Sequence, residues 1–237
     1  MKITKVESIF QIAFMPRIFP VNCYLVEEEK SITLIDTALP YCKNAIFIAA
    51  KKIGKPIGKI LLTHAHNDHV GALDGLKQTT DAEVIIPKRE LKILKGDISL
   101  EEGEGKMPIK GGVPKNIKTK PDTLLHDGDR IGSLLAIHVP GHTPGMMAYL
   151  DVRSNILIAG DAFQTKGRLA VSGDMCWSFP FPALATWNKD ESIKSAQKLL
   201  EYQPSTLAVG HGNMLWNPKK KMKEAIELAK RSREKEI

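Results

Sequence analysis

The chain has 237 residues, of which 43% are hydrophobic and 26% are charged, and its formal net charge is +7 at pH 7. This composition is typical of a globular protein, and the length suits a single domain over residues 1–237 with a substantial core. It excludes a membrane-spanning helix, since no apolar stretch approaches the ~20 residues that a span needs. The N-terminal residues lack the apolar run of a signal peptide, so we expect a cytoplasmic protein without membrane association.

The first half of the chain is predicted to alternate strands with helices. The spacing of apolar residues and the positions of Gly and Pro set the expected order. Strands are predicted at residues 6–11, 22–27 and 32–37, then a helix that carries Ile46, Ala49, Ala50 and Ile53 on one face and ends at Gly54. A strand at 59–63, a short helix at 70–76, a strand at 83–86 and a helix at 87–95 follow.

The second half starts near Asp122 and is similar to the first in the order of its elements. Asp127-Gly128-Asp129 predicts a hairpin turn, with strands at 130–139, 146–151, 155–159 and 206–209. Asn188, with Glu191 three residues further on, is expected to cap a helix. The residues that this helix is expected to turn inward are Ile193, Ala196, Leu199 and Leu200.

Much of the positive charge lies near the C-terminus, in Lys219-Lys220-Lys221, Lys223 and residues 230–233. These basic residues alternate at helical spacing with Met222, Ala225, Ile226 and Ala229. The pattern predicts a helix whose apolar stripe packs inward and whose basic face is solvated. A basic balance can indicate a nucleic-acid partner, but this placement does not favour one.

A dense cluster of potential metal ligands follows the strand predicted at 59–63. His64, His66, Asp68 and His69 lie within six residues, and imidazole and carboxylate groups are ligands that Zn²⁺ and similar ions prefer. Three more apolar runs lead to His142, Asp161 and His211. Ligands placed just past strand ends would gather at one edge of the sheets. Seven candidates are too many for a closed structural zinc site with four ligands, so we expect a catalytic centre.

The ordered set of motifs resembles the metallo-β-lactamase superfamily. It comprises His64-x-His66-x-Asp68-His69, His142 in Gly-His-Thr-Pro-Gly, Asp161 in Ala-Gly-Asp and His211 in Gly-His-Gly, and the resemblance runs from about Asp36 to His211. It implies an α/β fold, a four-layer αββα sandwich, with two divalent metal ions at one sheet edge. The implied ligands are His64, His66 and His142 for one ion and Asp68, His69 and His211 for the other, with Asp161 bridging. Zn²⁺ is expected, and Fe²⁺ or Mn²⁺ would also suit these ligands.

The resemblance implies metal-assisted hydrolysis, in which a metal-bound hydroxide attacks the substrate. Asp68 is the candidate catalytic residue, because it could orient the nucleophile and carry its proton away. Asp36, which ends an apolar strand, is expected to support the metal ligands. His126 and His138 are expected to be scaffold residues rather than ligands.

The leading hypothesis is hydrolysis of a small-molecule ester, lactone or thioester. Asp161 stands where the best-known clinical β-lactamases of this superfamily have a cysteine, and Gln164 stands where the best-known lactonase has a catalytic tyrosine. The chain after His211 is too short for the helical domain of glyoxalase II. RNA-processing members carry a large inserted domain, and the stretch between Asp161 and His211 is too short for one. A phosphodiesterase or nuclease, a mononuclear iron persulfide dioxygenase and a binding protein are the alternatives. The sequence makes no prediction of oligomeric state.

Two stretches of the chain, one rich in Gly and Lys and one rich in aromatic residues, have no helix or strand pattern. Residues 96–121, rich in Gly and Lys, form either a solvated surface loop or a lid over the metals. Trp177, Phe179, Phe181 and Trp187 follow Asp161 closely, and either line a substrate pocket or pack the core. Cys23, Cys42 and Cys176 are odd in number and scattered, which favours reduced thiols.

Overall fold

The structure, a computed structural model, describes residues 1–236 of the chain. Its first sheet has seven strands in chain order. They are β1 (Lys2–Val6), β2 (Ile9–Phe14), β3 (Val21–Glu27), β4 (Ile32–Ile35), β5 (Ile57–Leu61), β6 (Glu83–Pro87) and β7 (Thr123–Leu125). Strands β1 to β4 pair antiparallel and β4 to β7 pair parallel. Parallel neighbours need long crossovers, which are supplied here mainly by helices.

The second sheet has six strands, and a separate hairpin of two short strands lies beside it. In chain order these strands are β8 (Arg130–Ile131), β9 (Leu134–His138), β10 (Met147–Asp151), β11 (Ile156–Ile158), β12 (Phe163–Gln164), β13 (Ala170–Val171), β14 (Thr206–Ala208) and β15 (Leu215–Trp216). The spatial order of the sheet is β15-β14-β11-β10-β9-β8, and β12 pairs with β13. Among the described pairs of β8 to β15, β11–β14 is parallel and the others are antiparallel.

Seven α-helices occur in the described residues. They are α1 (Lys43–Ile53), α2 (Asn67–Val70), α3 (Leu73–Thr79), α4 (Glu90–Leu94), α5 (Phe181–Leu184), α6 (Lys189–Glu201) and α7 (Lys219–Glu234). None of the helices within residues 1–236 is long and apolar enough to cross a membrane. The three cysteines are buried free thiols.

The two sheets pack face to face and carry helices on their outer faces. Alternate residues of a strand point to opposite faces, so Tyr24 and Val26 of β3 pack between the sheets with Met147 and Tyr149 of β10. Cys23 and Leu25 of β3 pack outward with α1 and α3, and Ala148 and Leu150 of β10 pack outward with α6 and α7. These three buried clusters separate four layers, so the predicted αββα sandwich is confirmed.

Several predicted elements differ from the structure because a turn interrupts them. The strand predicted at 6–11 is the hairpin of β1 and β2, with Glu7 in a left-handed conformation at its turn. The strand predicted at 130–139 is the hairpin of β8 and β9. The helix predicted at 70–76 is divided into α2 and α3, and the helix predicted at 87–95 is only α4, because Pro87 belongs to β6.

The N-terminus of α6 is tied to the loop that carries His142. The Asn188 side chain accepts hydrogen bonds from the backbone N–H groups of Asp190 (3.0 Å) and Glu191 (3.2 Å), as the sequence predicts. The Asn188 backbone N–H donates to the carbonyl of Gly141 (2.8 Å), and that of Trp187 donates to His142 (3.0 Å). The helix cap therefore supports the loop of a candidate ligand.

We expect Asn188→Ala to lower the free energy of unfolding by about 1 kcal/mol, because two N–H groups of the first turn lose their acceptor. Urea denaturation measures this loss. Lys194→Ala, which removes an exposed side chain from the same helix, is the matched control. Equal stabilities of the two variants would contradict the prediction.

Candidate metal centre

The seven candidate ligands meet at one edge of the two sheets, on segments that follow four different strands; Asp68 and His69 lie in the short helix α2. His64, His66, Asp68 and His69 follow β5, His142 follows β9, Asp161 follows β11 and His211 follows β14. Six of the seven are buried, with at most 3% of their surface exposed. The Asp68 side chain is 25% exposed. The fold therefore brings together every ligand that the sequence predicts.

His64, His66 and His142 form the first group, whose ligand atoms all lie within 4.8 Å of one another. Nε2 of His66 is 2.9 Å from the Lys110 carbonyl, which can only accept, so this nitrogen donates and Nδ1 keeps its lone pair. That Nδ1 lies 3.0 Å from Nε2 of His142. On its other side, Nδ1 of His142 meets the hydroxyls of Ser172 (2.9 Å) and Thr186 (3.3 Å).

Asp68, His69 and His211 form a second group within the same distance. Nδ1 of His69 donates to Oδ2 of Asp36 (2.8 Å), and Nδ1 of His211 donates to the Pro20 carbonyl (2.6 Å). Both imidazoles therefore turn Nε2 into the site. Nε2 of His211 lies 3.5 Å from Oδ2 of Asp68.

Asp161 lies between the two groups. Its Oδ1 is 3.4 Å from Nε2 of His69, and its Oδ2 is 3.4 Å from Nε2 of His142 and 3.1 Å from Nε2 of His211. Each carboxylate oxygen thus faces a different part of the cluster. Asp161 therefore contacts candidate ligands of both groups.

Three buried atoms of the cluster have no hydrogen-bond partner within the described residues: Nε2 of His64, Nε2 of His69 and Oδ1 of Asp161. Unpaired buried polar atoms are unfavourable, and these three belong to side chains whose ligand atoms lie within 4.8 Å of one another. Divalent cations bound in the cluster would satisfy all three. The donor set therefore fits metal ions.

Electrostatics in the cluster also suit a cation. Burial lowers the pKa of His142 to about 3, so its imidazole is neutral and can offer a lone pair. Burial likewise keeps the pKa of His64 well below its ordinary value. At His211, burial opposes the charged form, but the Asp161 carboxylate outweighs it and raises the pKa. Positive charge is thus favoured near Asp161.

Asp36 contacts the site as its place in the sequence suggests. Its Oδ2 accepts from His69 and from the Thr63 hydroxyl (2.8 Å), while Oδ1 accepts from the Thr63 backbone N–H (2.8 Å). Asp36 therefore fixes both the ring of His69 and the residue before His64. His126 and His138 lie outside the ligand groups, as expected.

Three buried polar residues that sequence reasoning missed hold the turn that carries His211. Tyr24 donates its hydroxyl to the Val209 carbonyl (2.6 Å), and Gln11 donates its amide to Gly212 (2.8 Å). The Asn22 amide donates to both of these carbonyls, at 2.8 and 2.7 Å. These contacts join positions nearly 200 residues apart, so local sequence offers no signal for them beyond polar residues within apolar strands.

A cavity of about 420 Å³ opens beside the ligands. Its floor includes His66, Asp68, His142, Asp161 and His211. Its walls are mainly apolar and consist of Phe19, Leu39, Phe181, Pro182, Leu184 and Ala185, with Asn67, Gly111 and Gly112 on the other side. No Lys or Arg occurs among the described residues that line it.

The aromatic residues that follow Asp161 have different positions, so neither expectation holds for all four. Phe181 lines the cavity, and Phe179 is buried with its ring centroid 5.3 Å from that of Phe181. Trp187 is buried and donates its indole N–H to the Met107 carbonyl (2.7 Å). Trp177 is 87% exposed and lies outside the cavity. Phe19, from the turn before β3, was missed by the sequence analysis.

Residues 96–121 contain no helix or strand, yet part of this segment forms a wall of the site. Gly111 and Gly112 line the cavity, the Lys110 carbonyl accepts from His66, and the Gly112 carbonyl accepts from the Asn67 N–H (2.7 Å). The segment is therefore more than a solvated surface loop. Its central residues help to orient a candidate ligand.

The four layers and the buried His/Asp cluster at the sheet edge define a protein of the metallo-hydrolase class. Residues 16–211 match the family model of the metallo-beta-lactamase superfamily. The chain belongs to this superfamily.

Two relatives from Bacillus subtilis (strain 168) and one solved structure illustrate the similarity. The uncharacterized protein YobT is 57% identical over 232 residues, which cover 98% of this chain and 100% of YobT. The probable metallo-hydrolase YflN is 28% identical over 211 residues, covering 81% and 80% of the two chains. The crystal structure of TTHA1623 in a di-iron-bound form has a TM-score of 0.63 at 25% identity, covering 89% of this chain and 96% of that one.

We expect Gly111→Ala to weaken metal binding by about 10- to 100-fold, the usual effect of disturbing a group that orients a ligand. A Cβ atom at this position would overlap the His66 ring, and the backbone has a φ of +96° that disfavours side chains. Competition with a chromophoric chelator measures the Zn²⁺ affinity.

Gly103→Ala is the matched control for this variant. Gly103 has a similar φ of +88°, but a Cβ atom there would have no neighbour within 4 Å. The control should share the backbone strain and keep the Zn²⁺ affinity. Equal losses of affinity in the two variants would exclude the overlap with His66 as the cause.

Proposed function

We propose that the protein is a dinuclear metal-dependent hydrolase of small acyl substrates, namely esters, lactones or thioesters. The observation that carries this proposal is the cavity beside the ligands, whose walls are mainly apolar and whose described lining includes no Lys or Arg side chain. Apolar walls suit the acyl or ring portion of a neutral substrate. Within this class, we expect a substrate whose acyl group fills the space between Phe19, Phe181 and Leu184.

His64, His66 and His142 would hold one ion, and Asp68, His69 and His211 would hold the other, with Asp161 shared. Divalent cations bound there would lower the pKa of a water to about 7 and polarise the substrate oxygen. Zn²⁺ is our first choice, and these ligands also suit Fe²⁺ and Mn²⁺. The di-iron form of TTHA1623, a protein of similar fold, supports two ions and keeps iron among the candidates.

Asp68 is the residue that we propose to handle the proton of the attacking water. Its carboxylate is the most exposed of the seven candidate ligands, and it lies on the cavity floor. Burial opposes its ionisation, but His69 and His211 outweigh that effect and hold its pKa below the ordinary value. The group is therefore an ionised acceptor at neutral pH, placed where a substrate would meet the ligands.

The phosphodiesterase alternative lacks a comparable observation. Phosphate groups are usually met by Arg, Lys or backbone N–H groups, whereas the cavity walls are apolar. The persulfide dioxygenase alternative uses one iron and consumes oxygen, so two bound ions without oxygen consumption would exclude it. The small-molecule acyl hypothesis accounts for both the walls and the full ligand set.

The proposal predicts metal-dependent turnover on acyl substrates alone. Zn²⁺- and Mn²⁺-reconstituted protein is assayed on lactones, aryl esters and thioesters, and in parallel on phosphodiesters that include a short RNA. Asp161→Ala, which removes the shared ligand, controls for contaminating enzymes. Turnover confined to the phosphodiester arm, or a steep loss of activity with salt, would overturn the acyl proposal in favour of a nuclease.

Asp68→Asn should keep the shape of the side chain but remove its ability to take a proton. We expect kcat/KM to fall by about 10²- to 10⁴-fold, the range typical of general acid–base catalysis. Steady-state kinetics are measured together with metal content, which separates proton handling from metal loss. Asp81→Asn, at an exposed position, is the control. A variant with both metals and full turnover would exclude a catalytic role for Asp68.

A further inference from the structure

Glu90, the first residue of α4, is a fully buried carboxylate that belongs to none of the ligand groups. Its Oε2 accepts a hydrogen bond from the backbone N–H of Ala65 (2.9 Å), and its Oε1 accepts one from the N–H of Gly145 (2.9 Å). No Lys, Arg or His within residues 1–236 forms an ion pair with it. Burial raises its pKa above the ordinary value. Two backbone N–H groups hold this buried carboxylate, with the Thr143 side chain and the charge of Arg89 nearby, and a buried carboxylate without an ion pair calls for a reason.

The two donors belong to the two loops of the first ligand group. Ala65 lies between His64 and His66, and Gly145 lies three residues after His142. The two oxygens of one side chain therefore join the loop after β5 to the loop after β9. Ile93 and Leu94 of the same helix are buried in the core, so the joint is anchored to the outer helical layer.

Gly145 shows that the contact is built from both sides. A Cβ atom at this position would lie 2.7 Å from Cβ of Arg89, 2.8 Å from Oε1 of Glu90 and 2.9 Å from the Glu90 backbone nitrogen. Such distances do not occur between real atoms of these types, so any larger residue would separate the loop from α4. The short approach requires a glycine at 145 and an acceptor of two hydrogen bonds at 90.

We propose that Glu90 is a positioning residue of the metal centre, which sets the separation of His64 and His66 from His142. The contacts that connect it to the ligands run through the backbone of these two loops. The proposal rests on the metal centre of the proposed function, but it is independent of the substrate. Metal binding can therefore test it even if acyl turnover is absent.

Glu90→Gln is the first test. The amide keeps the shape of the side chain and one acceptor oxygen, but its NH₂ group cannot accept from the second backbone N–H. We expect the dissociation constant for Zn²⁺ to rise about 10- to 100-fold, as is usual when a group that orients ligands is lost. Chelator competition gives the dissociation constants, and circular dichroism with thermal unfolding of the metal-free protein reports folding.

Asp151→Asn is the matched control. Asp151 is also fully buried and lies at the far end of β10, where it binds Arg153 and Ser8 rather than either ligand loop. This variant should lose stability and keep its Zn²⁺ affinity. An equal loss of affinity in Asp151→Asn would show that general destabilisation is the cause and would overturn the proposal.

Gly145→Ala attacks the same contact from the other loop and carries the test if Glu90→Gln does not fold. It should raise the Zn²⁺ dissociation constant in the same range, because the added methyl group pushes the His142 loop away from Glu90. Affinities within twofold of the wild type in the variants that fold would overturn the proposal. Loss of affinity without any acyl turnover would support the role of Glu90 and count against the proposed substrate class alone.

Discussion

The arrangement of this site depends on the outer nitrogen of three imidazoles, those of His66, His69 and His211. Nε2 of His66 donates to Lys110, Nδ1 of His69 to Asp36 and Nδ1 of His211 to Pro20, each to an acceptor that cannot donate in return. Those bonds fix which nitrogen of each ring faces inward with a lone pair. Since the acceptors belong to three separate segments, the lone pairs converge only when the whole fold is in place.

The two-sheet architecture makes that convergence possible. Strands β5, β9, β11 and β14 end at one edge, so a short loop after each can present a ligand without long, mobile connections. The loops are then tied to neighbouring layers. Asn22 and Tyr24 hold the His211 turn from β3, and Asn188 holds the His142 loop from α6. The His211 turn and the His142 loop are thus held by hydrogen bonds from elements remote in sequence.

This division explains what could be predicted from the sequence. The ligand motifs, the Asn188 cap and the inward face of α6 are local patterns. The structure brings the seven candidate ligands together and caps α6 at Asn188. On α6, Ala196 and Leu199 are buried as predicted, whereas Ile193 and Leu200 pack on the same cluster but are only partly buried. The β1–β2 hairpin was missed because its turn, Glu7-Ser8, contains no Gly, Asn or Asp, whereas the β8–β9 hairpin was missed although Gly132-Ser133 is a two-residue turn signal. The supporting contacts of Gln11, Asn22 and Glu90 were missed because each joins residues that only the fold brings together. Trp177 and Phe179 stand two residues apart, yet one is exposed and the other buried, since an irregular segment has no periodicity to follow.

The net charge of +7 describes the surface of the molecule, whereas the site has a different electrostatic character. The basic residues of α7 lie on the exposed face of a helix packed on the second sheet, and none of them lines the cavity. Inside the site, burial opposes the charged form of His69, but the carboxylates of Asp161 and Asp36 outweigh it and raise the pKa of that imidazole. Cations are therefore attracted to the ligand cluster, and the described cavity walls contribute no Lys or Arg side chain. A substrate would meet cations only at the floor, with apolar side chains around the rest of it, which favours a polar, reactive group attached to an apolar body.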